Sequence, residues 1–201
     1  AEHAFQAASE LGYPGSSLCL GQLQLALGET AKAIEWLKKS WEQGDVNGLA
    51  LLGAALMDSG QADEGTRYWE LGVEHKVKNC ALRLSQYYET IGEHSLGLEA
   101  ASTGAEFVEQ GDKPIFWEEM ALHLHELKRN DEALVFAKKA WEAGYLEAAV
   151  VLSFIYDAMD KPEEAENILL EALGLGYARA DIFLGFHYEE RELLDLAEQH
   201  F

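Results

Sequence analysis

Only 3 prolines and 2 cysteines occur in the 201 residues, and 15 Lys plus Arg stand against 36 Asp plus Glu. Scarce proline leaves long helices uninterrupted. The formal charge of −21 repels phosphate backbones and anionic headgroups before any specific contact forms, which excludes nucleic acid as a partner. No apolar run reaches the roughly 18 residues that a membrane span needs, so no membrane insertion is expected, and no basic region followed by an apolar core marks a signal peptide. The motifs of chemistry are missing too: there is no Gly-rich phosphate loop, no Cys-x-x-Cys pair and no nucleophile elbow. His123 and His125 stand two apart, whereas a metal pair on a helix needs a spacing of i, i+4. We expect no enzymatic activity, no cofactor and no metal.

What is present is repetition. AIEWLKKSWEQGDVNGLALLG, from Ala33 to Gly53, returns one hundred residues later as ALVFAKKAWEAGYLEAAVVLS, from Ala133 to Ser153. Both copies read as the end of an amphipathic helix, a Gly stop at Gly44 or Gly144, and the start of another helix. A fixed period underlies them. A small residue follows Leu or Met at Leu20-Gly21, Leu52-Gly53, Leu84-Ser85, Met120-Ala121, Leu152-Ser153 and Leu184-Gly185, at intervals of 32, 32, 36, 32 and 32 residues. Ala33, Gly65, Gly97, Ala133, Ala165 and Ala197 keep the same phase. The extra four residues fall near Ser102 to Asp112.

This spacing predicts first helices over 15–27, 47–59, 78–91, 114–128, 146–159 and 178–190. Second helices follow over 30–43, 62–75, 94–110, 131–143 and 162–174, and residues 1–12 form the second helix of an earlier repeat. Gly28, Gly60 and Gly92 separate the helices of a pair; Gly12, Gly44, Gly111, Gly144 and Gly176 separate pairs. Glycine inside a helix costs about 1 kcal/mol relative to alanine, so the small columns must be offset by packing. Three residues beyond the first column stands a large side chain, such as Leu56, Leu124 or Tyr188, and the pair is expected to lock one hairpin into the next. Trp41 and Trp141 share a column at the end of second helices, and Trp36 and Trp69 lie on the packing side of theirs. Trp117 sits in the offset repeat and is expected to be more exposed than Trp41 or Trp141. Cys19 and Cys80, on first helices of non-adjacent repeats, are too far apart for a disulfide and are read as free thiols.

Leu-Gly, then an aromatic residue three further on, then a small residue twelve after the Gly: this pattern resembles the tetratricopeptide repeat. The joints Trp41-Glu42-Gln43-Gly44-Asp45 and Trp141-Glu142-Ala143-Gly144-Tyr145 are closer to its Sel-one-like relatives, although the Gly-x-Gly loop usual there is missing. The resemblance implies an all-α fold, a right-handed α-solenoid or superhelix of about six antiparallel helical hairpins with a 32-residue period, as one domain over residues 1–201. The chain opens without Met and closes at Phe201 within a helical pattern, so we expect a fragment of a longer repeat protein. Unpaired cysteines point to a reducing, cytoplasmic compartment, with an exported or periplasmic form as the alternative.

In this family first helices line a concave groove. The matching stripe holds Gln22, Asn47, Asn79, Gln86, Glu89, Glu118, His125, Phe154, Asp157, Arg179, Phe186 and Glu189, among apolar positions such as Leu18, Leu25, Ala54, Met57 and Leu122. Amides, carboxylates and isolated aromatics are what peptide recognition uses. The implied function is protein–protein interaction: a peptide segment, or a partner protein's surface, bound in an acidic concave groove that favours a basic segment. The alternative is a scaffold that stacks or self-associates through open repeat ends, Phe201 among them.

Overall fold

The structure is a computed structural model that describes residues 2–13 and 15–200, apart from the side chains of residues 2–4 and 10. Among the described residues the regular elements are all helical. They are α1 (Glu2–Glu10), α2 (Ser16–Ala26), α3 (Thr30–Glu42), α4 (Leu49–Asp58), α5 (Ala62–Glu74), α6 (Lys78–Thr90), α7 (His94–Phe107), α8 (Lys113–Glu126), α9 (Asn130–Glu142), α10 (Ala148–Ala158), α11 (Pro162–Gly174), α12 (Arg179–Glu190) and the short α13 (Leu194–Ala197). Single 3-10 turns at Val46–Gly48 and Gln110–Asp112 precede α4 and α8. The chain divides into two compact units, residues 1–87 and 88–201. Within the units α2 pairs with α3, α4 with α5, α8 with α9 and α10 with α11, as the period predicts. In the first, α1 packs on α2, α2 on α3, α3 on α4 and α4 on α5; in the second, each helix from α7 to α12 packs on its successor and α10 also touches α8 and α12. Phe201 lies outside the described residues.

A left-handed residue stops one helix after another. Positive φ occurs at Gly12, Gly28, Gly44, Gly60, Lys76 and Gly92, then at Lys128, Gly144, Asp160, Gly176 and Glu192, a spacing of sixteen residues on either side of one break. At Gly44 (φ 85) the turn is closed by Gly44 N–H donating to the Trp41 carbonyl at 2.8 Å and Asp45 N–H to that of Ser40 at 3.0 Å, the Schellman pattern that satisfies a helix's last carbonyls. The next slot after Gly92 falls on Val108, where β-branching penalises the left-handed form. Val108 is extended instead (φ −86, ψ 158). The second helix therefore ends at Phe107 rather than running to residue 110, and the chain passes through Gln110–Asp112 before α8. Gly111, expected as the stop of this joint, does not have positive φ; the extended Val108 has already turned the chain.

Gly21 and Gly53, expected to face the next hairpin, pack within their own. A side chain at Gly21 would run into Leu37, and one at Gly53 into the indole of Trp69. A Cβ at Gly65 would stand 2.8 Å from the Gly53 carbonyl, so α4 and α5 approach backbone to backbone. Contacts between hairpins use other glycines: Gly72 against Cys80, Gly97 against His123 and Gly104 against Phe116. Gly72 and Gly104 belong to a third small column, with Ser40, Ala140 and Ala172, all buried. Opposite stands the column Gly48, Cys80, Phe116, Ala148 and Ala180. Its members lie eight residues beyond their partners, except across the insertion, where Phe116 lies twelve beyond Gly104. The largest side chain of one column thus meets a glycine of the other.

Both cysteines are free, Cys80 being buried, and burial pushes its thiol up to about 12. Trp69 is buried. Trp117 is half-buried, as are Trp41 and Trp141.

Candidate partner-binding face

In the first unit Gln22, Asn47 and Asn79 are exposed and Gln86 is half-buried. Asn47 is engaged locally, since its backbone N–H and side-chain amide both donate to Asp45 Oδ1, at 3.1 and 2.8 Å. It also lines a cleft with Gly15, Gln43, Gly44 and Asp45. A second cleft, lined by Glu64, Arg67, Tyr68, Glu70, Leu71 and Glu74 on α5, contains none of the predicted stripe.

In the second unit Glu89, Arg179 and Glu189 are exposed, while Glu118, His125 and Asp157 are half-buried. His125 is paired with Asn130, Nδ1 to Oδ1 at 3.0 Å, which ties it to the start of α9. Phe154 and Phe186 are 41% and 48% exposed. The sequence places them at equivalent positions of neighbouring repeats; the fold joins them through Phe183. The Phe154 and Phe183 rings stand 5.8 Å apart and those of Phe183 and Phe186 6.4 Å apart, both edge to face. Such pairs are stabilising beyond the area they bury. The result is a continuous aromatic strip across α10 and α12. Phe183 was legible as the residue one turn before Phe186, but its half-buried bridging position needed the packing of α10 on α12.

Asp157 lies one turn from Phe154 on α10. Its Oδ2 is 3.2 Å from His187 Nδ1, and His187 Nε2 is 3.3 Å from Arg191 Nη1. The His187 side chain is 3% exposed and that of Asp157 31%. Arginine has no acceptor, so Nε2 accepts from it, Nδ1 carries the proton and His187 donates to Asp157. Beside this relay Tyr188 donates to Glu166 Oε1 at 2.8 Å and rests against the His200 ring.

A third group lies at the α8 end. Burial first, then the neighbouring charges of Glu119, Glu89 and Glu147, raise the Glu118 carboxyl to about 8. Burial, and then Glu118 and Glu147, push the Tyr145 hydroxyl upward. Tyr177 rises as well, mainly by burial. Tyr145 and Tyr177 each follow a left-handed glycine, Gly144 and Gly176, at equivalent joints 32 residues apart; that column was readable in advance, whereas its proximity to Glu118 was not. Among the described residues no group of three or more His, Cys, Asp and Glu is placed to hold a metal ion, and no helix is long and apolar enough to cross a membrane.

No family model matches the chain, and no curated protein does. Solved structures do. The pilF protein of Pseudomonas aeruginosa is similar over 98% of this chain and 90% of its own, with TM-score 0.71 and 12% identity. YrrB, a TPR protein with an unusual peptide-binding site, matches over 88% of this chain and 94% of its own, with TM-score 0.66 and 17% identity. In the Cut9-Hcn1 hetero-tetramer of the APC/C the match covers 99% of this chain but only 42% of the other, with TM-score 0.68 and 14% identity. At these identities the likeness concerns fold alone. The chain has a tetratricopeptide-like helical-repeat fold, an all-α solenoid of hairpins.

Proposed function

We propose that this chain is a protein-interaction module whose second unit binds a peptide segment, or a partner's surface segment, along the aromatic strip of α10 and α12. The observation that carries the reading is the exposure of Phe154 and Phe186 on a strip continuous through Phe183, beside Asp157. A net charge of −21 and the exposed Glu189 favour a basic segment with apolar side chains between its cations. Charge then sets the rate of encounter and the aromatic strip sets residence. The Trp41–Asp45 and Trp141–Tyr145 joints support placing the chain nearest the Sel-one-like repeats. That YrrB is described as peptide-binding makes the reading compatible with the fold.

The test uses a short synthetic peptide in which lysines alternate with phenylalanines. Asp157→Asn with Glu189→Gln slows association and flattens its salt dependence, because exposed charges are screened beyond about 8–10 Å at physiological ionic strength. Phe154→Ala with Phe186→Ala speeds dissociation and leaves the salt slope unchanged. Binding that survives both pairs, or that depends on Lys138 and Lys139 of α9 instead, removes the assignment.

A second reading, self-association, is favoured by the exposed Leu193, Leu194 and Leu196 around α13. Light scattering against concentration separates it: a mass that doubles in the wild type and not in Leu194→Glu supports it.

A further inference from the structure

The Asp157–His187–Arg191 relay reaches the proposed binding strip directly, and it has an internal logic that the binding reading does not use. We infer that protonation of His187 switches the charge of the α10–α12 face and releases a basic partner in mild acid; this regulatory role rests on the binding reading.

Neutral His187 is held between an obligate acceptor and an obligate donor. Asp157 Oδ2 on α10 lies 3.2 Å from Nδ1 and Arg191 Nη1, just past the end of α12, lies 3.3 Å from Nε2. An imidazole with one proton satisfies both, and only in the Nδ1–H form. Asp157 receives a hydrogen bond but no compensating charge from the ring, so its carboxylate, 31% exposed, still attracts a cation seated beside Phe154.

A second proton changes each relation. It lands on Nε2, because Nδ1 already holds one, and there it opposes Arg191: donor faces donor and cation faces cation. Arg191, exposed at the surface, is free to turn outward. Asp157 meanwhile faces an imidazolium and becomes half of an ion pair. The face gains one positive charge where the partner's cation would sit.

Two ionisable side chains next to the relay, Glu166 and His200, have partners of their own. On α11 Glu166 accepts from Tyr188, whose ring meets that of His187 edge to face, with centroids 5.8 Å apart. From beyond α13, His200 pairs with Asp181 at 2.7 Å and its ring lies against that of Tyr188. His200 has a different partner, so its contribution is separated by variant rather than by pH alone.

The experiment has two arms. Long-range 15N–1H spectra of the free protein report the imidazole tautomer without any ligand. The Nδ1–H form at about pH 7.5, with loss of the Arg191 contact on titration to about pH 5.5, is expected; an Nε2–H form overturns the relay. In the second arm the lysine–phenylalanine peptide is titrated at both pH values. Affinity falls by roughly tenfold in acid. His187→Gln, which can donate to Asp157 and accept from Arg191 while staying neutral, keeps the affinity seen near neutrality and loses the pH dependence. Should the buried Gln disturb folding, His187→Asn, also neutral and able to donate to Asp157, serves instead and likewise loses the pH dependence. PH dependence that survives these variants, or that disappears with His200→Gln, overturns the switch alone. A peptide that binds at neither pH overturns the binding reading and the regulatory role with it, while the spectra still decide whether the relay exists.

Discussion

The Trp69 indole nitrogen donates to the Ala50 carbonyl at 3.1 Å, and this bond lays the ring of one helix of a hairpin across Gly53 of the other. The ring occupies the space where a Cβ at Gly53 would stand. Gly53→Leu therefore expels Trp69 and strands its N–H, with a loss of about 1–3 kcal/mol. Chemical unfolding followed by Trp fluorescence checks this, and an unchanged midpoint would show that the glycine has no packing role.

Phe116 and Gly104 form a size-matched pair across the one irregular joint. Gly104→Ala alone places a Cβ against the ring and should cost about 1–3 kcal/mol. Phe116→Ala alone leaves a cavity and should cost about 3–5 kcal/mol. Combined, the two changes should cost clearly less than their sum, since the added methyl then fills part of the hole. Strict additivity in a double-mutant cycle would dissolve the pairing.

Lys128 stops α8 with φ 62, a conformation that costs a side-chain-bearing residue roughly 1–2 kcal/mol. Lys128→Gly removes that cost and gives back part of it through the freer unfolded chain. A net gain of about 0.5–1 kcal/mol is expected, and Gly144→Ala at the equivalent turn of α9 should lose a similar amount. Thermal denaturation of the two variants side by side reads both signs.

Glu118 should make stability fall as pH rises. Its folded-state carboxyl is raised to about 8 from an ordinary 4.5, so between these values the folded protein holds a proton that the unfolded chain has released. The associated stability is complete below about 4.5 and lost by about 8. Glu118→Gln keeps a neutral side chain throughout and should remove this slope, leaving the variant about 1–2 kcal/mol more stable than the wild type near pH 8.5. Denaturant midpoints across the range test it; parallel profiles would show that the carboxyl is ionised in the folded protein.

Period and polarity along the chain were enough to establish the helices, the pairing of α2 with α3, α4 with α5, α8 with α9 and α10 with α11, and the place of the four-residue insertion. Each of these depends on local φ, ψ preference and on which face of a helix is apolar. The third small column, Ser40 to Ala172, was equally visible, but its meaning depended on which residue it meets in the neighbouring hairpin. The same holds for Gly53: sequence marks it as a place of close approach, and only packing shows that the approaching group is Trp69 of its own hairpin. At the candidate face Phe154, Asp157 and Phe186 could be chosen by repeat arithmetic, whereas Phe183 as their bridge, Arg191 on Nε2 and the raised carboxyl of Glu118 could not. Repeat position determines a side chain's face and its rank along the array. Hydrogen-bond partners and electrostatic neighbours arise between helices, at distances that only tertiary packing decides.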